Sequence, residues 1–265
     1  MTNGNQSLSR GLAILSELER ARDSLGVREL ARRLDLNPAT TQRLINTLLE
    51  EGFVIRDPVN QRYSLGYRAL SLGASIRDDN QLVTASMKVL QSLTNAMEVN
   101  SFLGALMGDR IVYLLALQSQ GPISINSRTG QVVALHSSAL GKVLLSEMPE
   151  DRAISLLSSA PLQKFTERTI TDIPVLLEEL HEVRRQGYGT VLGENLPGVD
   201  SVGAVVRGAS GTAVGAISAA YAPTLQPRVR FADLTARLVN AARDISLQLG
   251  CPAAALPRAM LARSG

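Results

Sequence analysis

From Pro38 to Leu49, Thr41, Leu44, Ile45 and Leu48 recur at the spacing of one helical face, while Ala39, Gln42, Arg43 and Asn46 recur on the opposite one. A helix should begin at Pro38, because Asn37 can cap the free N–H groups and proline loses nothing at the first helical position. A shorter helix, Val27 to Leu34 with Leu30, Ala31 and Leu34 inward, precedes it across Asp35, Leu36 and Asn37, which is helix-turn-helix spacing. Gly52 supplies a stop, Phe53 to Arg56 is a β-prone run, Asp57 to Asn60 a turn, and Gln61 to Leu65 alternates like a returning strand, so a wing should follow. Upstream, Leu8, Leu12, Ile14, Leu15 and Leu18 predict an amphipathic helix packed behind this unit. Downstream, Gly66 to Asp79 reads as a linker helix carrying Leu70, Leu72 and Ile76, with a domain boundary near Asn80.

The second half alternates between the two periodicities. Leu82 to Met97 is helical by pattern, Val99 to Met107 and Ile111 to Leu117 form a hairpin, and Ile123 to Ser127 offers a further short strand. Helices are expected over Ser138 to Glu147, Glu150 to Leu157 and Asp172 to Gln186, strands over Val202 to Arg207 and Val214 to Ala222, and a long last helix over Val229 to Leu249. Hairpins between helices predict an α+β domain with an antiparallel sheet. The expected organisation is a winged helix-turn-helix over residues 1–65, a linker helix over 66–80, a sheet domain over 81–250 and a disordered Ala/Pro/Arg-rich tail over 251–265. Glu178, Glu179, Glu182, Arg184 and Arg185 read as a solvated face with local ion pairs.

Composition narrows the chemistry. A length of 265 residues with 45% hydrophobic content suits two domains with real cores. No apolar run approaches a membrane span, and the N-terminus M-T-N-G-N-Q-S is neither basic nor apolar, so a cytoplasmic protein is expected. With one cysteine, Cys251, and two histidines, His136 and His181, far apart in sequence, no metal site or other cofactor is expected. Ser138 with His136 or His181 lacks a G-x-S-x-G elbow, and Cys251 has no partner in sight, so the chain reads as a sensor and not an enzyme.

Net charge is only +3, and residues 1 to 81 hold 11 Arg against 10 acids, so bulk charge does not argue for nucleic acid. Placement does. Pro38 to Leu49 contains no acid to repel phosphate, and Gln42, Arg43 and Asn46 can make bidentate contacts with base edges. The DNA-contact candidates are therefore Asn37, Pro38, Ala39, Thr40, Gln42, Arg43 and Asn46, with Arg56 and Arg62 flanking the wing turn as contacts to phosphate or the minor groove. The competing reading is a metabolite-binding or small-molecule-converting protein whose N-terminal module only mediates protein contacts.

The blocks S-L-S-R-G-L-A-I-L at 7–15, E-L-A-R-R-L at 29–34, L-L-E-E-G-F-V at 48–54 and Y-S-L-G at 63–66 resemble the winged helix of the IclR family of bacterial transcriptional regulators. The resemblance continues through H-S-S-A-L-G-K-V-L-L at 136–145, R-Q-G-Y-G at 185–189 and G-E-N-L-P-G-V at 193–199. It implies a GAF-like effector domain, a homodimer or homotetramer on double-stranded operator DNA, and a repressor's role. It also implies an effector pocket at Ala139, Leu140, Ser201, Ser218 and Ala220. Relatives often carry acids ahead of the E-N pair and R-C-I-A-A-P in the next strand. Here Val191-Leu192-Gly193 and Asp200 to Val205 stand instead, which implies a small, fairly apolar pocket for a small organic metabolite.

Overall fold

In the computed structural model, which describes residues 5–21 and 23–257, the chain divides into two compact units, one ending at Asp79 and the other beginning at Asn80. The first contains α1 (Gln6–Ala21), α2 (Val27–Arg33), α3 (Pro38–Glu50), β1 (Val54–Arg56), β2 (Tyr63–Leu65) and α4 (Tyr67–Asp79). The Asn37 side chain accepts the Ala39 N–H at 2.8 Å, and Asp35 turns the chain between α2 and α3 with φ of 51°. Ile14, Leu18, Leu25, Leu30, Ile45, Val54 and Tyr63 make the core. β1 and β2 pair antiparallel as Val54 with Leu65 and Arg56 with Tyr63, and Leu25 bridges to Tyr63, so the wing is sewn to the chain ahead of α2.

One expectation for this unit changes, that for α1, while the linker helix is found as α4. Ile14 and Leu18 of α1 enter the core, but Leu8 and Leu12 stay 63% and 55% exposed. α4 buries no residue at all, although it carries Tyr67, Leu70, Leu72 and Ile76.

The second unit contains α5 (Gln81–Met97), β3 (Asn100–Met107), β4 (Arg110–Leu117), β5 (Val132–Val133), α6 (Ala139–Ser146), α7 (Glu150–Leu157), α8 (Ile173–Gln186), β6 (Tyr188–Leu192), β7 (Asp200–Arg207), β8 (Ala213–Tyr221) and α9 (Phe231–Gln248). Its six strands run β5-β4-β3-β8-β7-β6, every neighbouring pair antiparallel. α5 and α9 pack together over the sheet, and α6 packs on it with α8 alongside. The whole chain is thus α+β, a helix-turn-helix unit followed by an antiparallel sheet dressed with helices.

Three expectations are corrected here. Ile123 to Ser127 forms no strand, because the Asn100 side chain takes its backbone: the amide donates to the Ile123 carbonyl and its oxygen accepts the Ile125 N–H. The edge beside β4 belongs to Val132 and Val133 instead. The start of the supposed disordered tail is ordered, since Cys251 and Leu256 are buried in the main core and Ala253–Ala255 makes a 3-10 turn; residues 258–265 lie outside the described residues. The α8 face is not wholly solvated, for Glu179 reaches a buried lysine and Arg184 donates to the Ser146 and Met148 carbonyls, leaving Glu182 with Arg185 as the local pair expected.

Candidate nucleic-acid interface and effector pocket

On α3 the inward positions Thr41 and Ile45 are buried, whereas Asn37, Pro38, Ala39, Arg43 and Asn46 are exposed and Thr40 and Gln42 half-buried. The candidate reading residues therefore share one solvent-facing side of a helix anchored by its apolar side. Gln42 donates to Asn46 Oδ1 at 2.8 Å and lies 3.4 Å from the Tyr63 hydroxyl, tying this side to the wing. Arg56 is exposed and stacks its guanidinium 5.7 Å from the Tyr63 ring centre. Arg62, expected beside it at phosphate, is drawn inward: Nε donates to the Ser24 carbonyl at 2.8 Å and Nη2 to Glu29 at 2.9 Å. Glu29 also accepts from Arg33, which in turn donates to the largely buried Glu17, so charge pairs run from α1 through α2 to the wing. The Arg33 guanidinium holds the Glu29 carboxyl below the usual range.

In the second unit Ala139, Leu140, Ser201, Ser218 and Ala220 all line one cavity of about 70 Å³. The register explains the convergence. Ser201 pairs with Ala220 and Ser218 with Phe102, and direct antiparallel partners project from the same side of a sheet. The start of α6 crosses that side closely because two strand positions carry no side chain. A Cβ at Gly203 would lie 2.8 Å from the Ala139 carbonyl oxygen, and one at Gly104 would lie 2.9 Å from Leu140. Replacing Gly203 with Ala should push α6 off the sheet and cost about 1–3 kcal/mol of stability, the range of overpacked cores, as thermal unfolding would show.

None of the cavity's lining side chains carries a formal charge. Ser138 caps α6 by accepting the Gly141 N–H at 2.9 Å while donating to the Ala134 carbonyl at 2.6 Å, so its hydroxyl is already occupied. The N–H groups of Ala139 and Leu140, at the first helical turn, have no intrahelical acceptor and face an anion-friendly end of the helix dipole. Phe102 and Tyr113 add an aromatic wall, ring centres 5.0 Å apart, and burial pushes the Tyr113 hydroxyl further up so that it stays a neutral donor. The loop after β6 contributes Asn195, Leu196 and Val199, and Ser137 donates to Asn195 Oδ1 at 3.3 Å. His136 stays out of any catalytic pairing: its Nε2 meets the Gln163 carbonyl at 2.9 Å.

Sequence reasoning passed over the strongest electrostatic feature of this unit. Lys142 of α6 is wholly buried, its ammonium 2.7 Å from Glu194 and 2.8 Å from Glu179. The signal was present in the lone lysine within A-L-G-K-V-L-L, because a charge on an otherwise apolar helix needs a partner. Its partners are 37 and 52 residues further on, beyond the reach of local pattern.

An exposed helical face with no acid from Pro38 to Leu49, set beside a wing, defines a class: winged helix-turn-helix transcription regulators. The family's IclR helix-turn-helix model matches residues 7–58, and the model described as bacterial transcriptional regulator IclR C-terminal matches 75–247. The chain belongs to the IclR family of bacterial transcriptional regulators, a family of regulators and not of enzymes. It is 31% identical over 245 residues to the HTH-type transcriptional regulator KdgR of Escherichia coli K12, covering 92% of both chains. It is 28% identical to the HTH-type transcriptional repressor AllR of the same strain, over 94% of this chain and 92% of that one. The Thermotoga maritima IclR crystal structure superposes with a TM-score of 0.78 at 25% identity, covering 92% and 98% of the two chains. An IclR homolog of Microbacterium hydrocarbonoxydans, complexed with 4-hydroxybenzoate, has the same fold, with a TM-score of 0.80 at 21% identity over 92% and 99%. Among the described residues no helix is long and apolar enough to cross a membrane.

Proposed function

We propose that the chain is a cytoplasmic, metabolite-responsive repressor that lays α3 in the major groove of operator DNA. The observation that carries this reading is the exposed α3 side that holds Arg43, Asn46 and Ala39 with no acid from Pro38 to Glu50's predecessor Leu49. In it Gln42, Arg43 and Asn46 read base edges, Asn37 to Thr40 set the helix end against the backbone, and Arg56 on the wing meets phosphate. Arg62 acts from within, holding the wing that carries Arg56. The exposed apolar residues of α1 and α4 pair two chains as a homodimer, which two such dimers extend to a tetramer, placing two α3 helices in major grooves one or more helical turns apart.

The effector is a small organic metabolite seated on Ala139, Leu140, Ser201, Ser218 and Ala220. A carboxylate suits the free N–H groups of α6, and an apolar or aromatic body suits Phe102 and Tyr113; the aromatic acid held by the Microbacterium homolog fits that chemistry. Binding to one domain arrangement over another shifts the population that matches the operator.

Arg43→Ala should weaken specific binding by about 1–3 kcal/mol and relax one base preference. Fluorescence anisotropy on a promoter fragment across a salt series checks this. An unaltered Arg43→Ala affinity removes that residue from the interface, and an affinity indifferent to salt returns the N-terminal unit to a protein-docking role. A thermal-shift screen of organic acids tests the pocket.

A further inference from the structure

The loop Gly193 to Val199, one wall of the cavity, is tied down by a cluster whose charges do not balance. Both oxygens of Glu194 lie 2.7 Å from the Lys142 ammonium, and both oxygens of Glu179 lie 2.8 Å from it. Lys142 is completely buried, the Glu194 side chain 10% exposed and that of Glu179 26% exposed, so one ammonium answers two carboxylates, one of them partly wet. The backbone of the loop's first residues is held separately: Thr166 donates to the Gly193 carbonyl and Thr169 to that of Glu194, with Arg168 reaching Leu192. These neutral and peripheral contacts fix where the loop begins, and Ser137 holds Asn195 from the residue ahead of the α6 cap, while the Glu194 side chain carries the loop's charged link to α6 and α8. The next residues, Asn195 and Leu196, face the cavity.

We propose that Lys142, Glu179 and Glu194 form a positioning cluster in which the surplus carboxylate charge sets how firmly the Gly193 to Val199 loop docks over the effector cavity. Glu179 is the adjuster. It shares the ammonium with Glu194 and repels it, so a negative Glu179 weakens docking even as it neutralises Lys142. The importance of the loop rests on the cavity's being the effector pocket; the docking itself does not. By linkage, a loop that is docked in a fraction of molecules lowers effector affinity by that fraction.

The charged groups facing Glu194 are Lys142 from α6 and Glu179 from α8, with Arg168 beside Gly193 at the loop's base. Burial raises the Glu194 carboxyl above the ordinary range, Lys142 pulls it back, and Glu179 pushes it further up. The docked loop therefore binds a proton more tightly than the undocked one. Docking is strongest below the ordinary carboxylate value and weakens as pH rises through the docked Glu194 value.

Hydrogen exchange followed by mass spectrometry on the full chain without effector tests this, comparing peptides across the loop with peptides from α9. Glu179→Gln should slow loop exchange by roughly tenfold, the size of one nearby charge in a partly wet site, with α9 unchanged. A merely structural role predicts the opposite, because that variant removes a partner of a buried lysine. Loop exchange in the parent protein, corrected for the intrinsic rate, should slow from neutral pH down to about pH 5, just above the ordinary carboxylate value, and Glu194→Gln should abolish that slope. Loop exchange that is faster or unchanged in Glu179→Gln, or a slope that survives Glu194→Gln, overturns the proposal. A failed effector screen with the loop response intact would count against the pocket reading and leave the cluster's role standing.

Discussion

Replacing Lys142 with methionine is expected to destabilise the second unit by about 3–5 kcal/mol, the range for removing one partner of a buried ion pair. The side chain is 0% exposed, and its loss leaves Glu179 and Glu194 facing each other without a cation. Methionine matches the length of the lysine stem, so packing is nearly conserved and the loss reports charge. The effect should be confined to one unit. Residues 1–79 have their own core around Ile14, Ile45 and Tyr63, which Lys142 does not touch. Denaturant unfolding monitored by hydrogen exchange should show an early transition across α6, α8 and β6, with the α3 amides melting as in the parent. A loss below about 1 kcal/mol, the value of an exposed pair, would mean that the ammonium finds water and that the cluster is no buried ion site.

The second large effect concerns assembly. Leu72→Glu with Ile76→Glu should abolish dimerisation and lower operator affinity by roughly 10²- to 10⁴-fold, the range lost when two linked sites become one. The two residues are four apart on α4, share a helical face, and are 51% and 69% exposed on a helix with no buried residue. A helix of 13 residues with no buried side chain makes poor thermodynamic sense in isolation, and in the proposed dimer a second chain would supply what is lacking. Because neither residue supports the core, the folded monomer should survive with its thermal midpoint intact. Sedimentation equilibrium and anisotropy on a promoter fragment check the two halves of the prediction. A variant that stays dimeric, or a monomer that binds DNA as tightly as the parent, would remove α4 from the interface.

The winged helix was readable in the sequence because its signals are local. Asn37, Pro38 and Gly52 punctuate α3, and the inward Thr41 and Ile45 follow from helical period. Period shows which side of a helix is apolar but not what covers it, so Leu8 and Leu12 share the apolar side of α1 and still stay outside the core. Strand β6 has no local signal: Tyr188 to Leu192 is a short run straight after a helix, defined by its pairing with β7 and not by its own alternation. The placing of Ala139, Leu140, Ser201, Ser218 and Ala220 came from the family resemblance, and the cavity they line depends on a sheet register that no local pattern specifies. The charge cluster was least legible, since it brings together α6, α8 and the loop after β6 from segments far apart in the chain.

On the proposed reading, in which Gln42 and Asn46 both touch bases, the hydrogen bond between them bears on how target sites should be scored. Two amides that orient one another do not choose their bases separately: whichever way one turns, the other has fewer orientations left. Preferences at the adjoining operator positions are then correlated, and a scoring matrix that sums columns independently will misrank sites that differ at both.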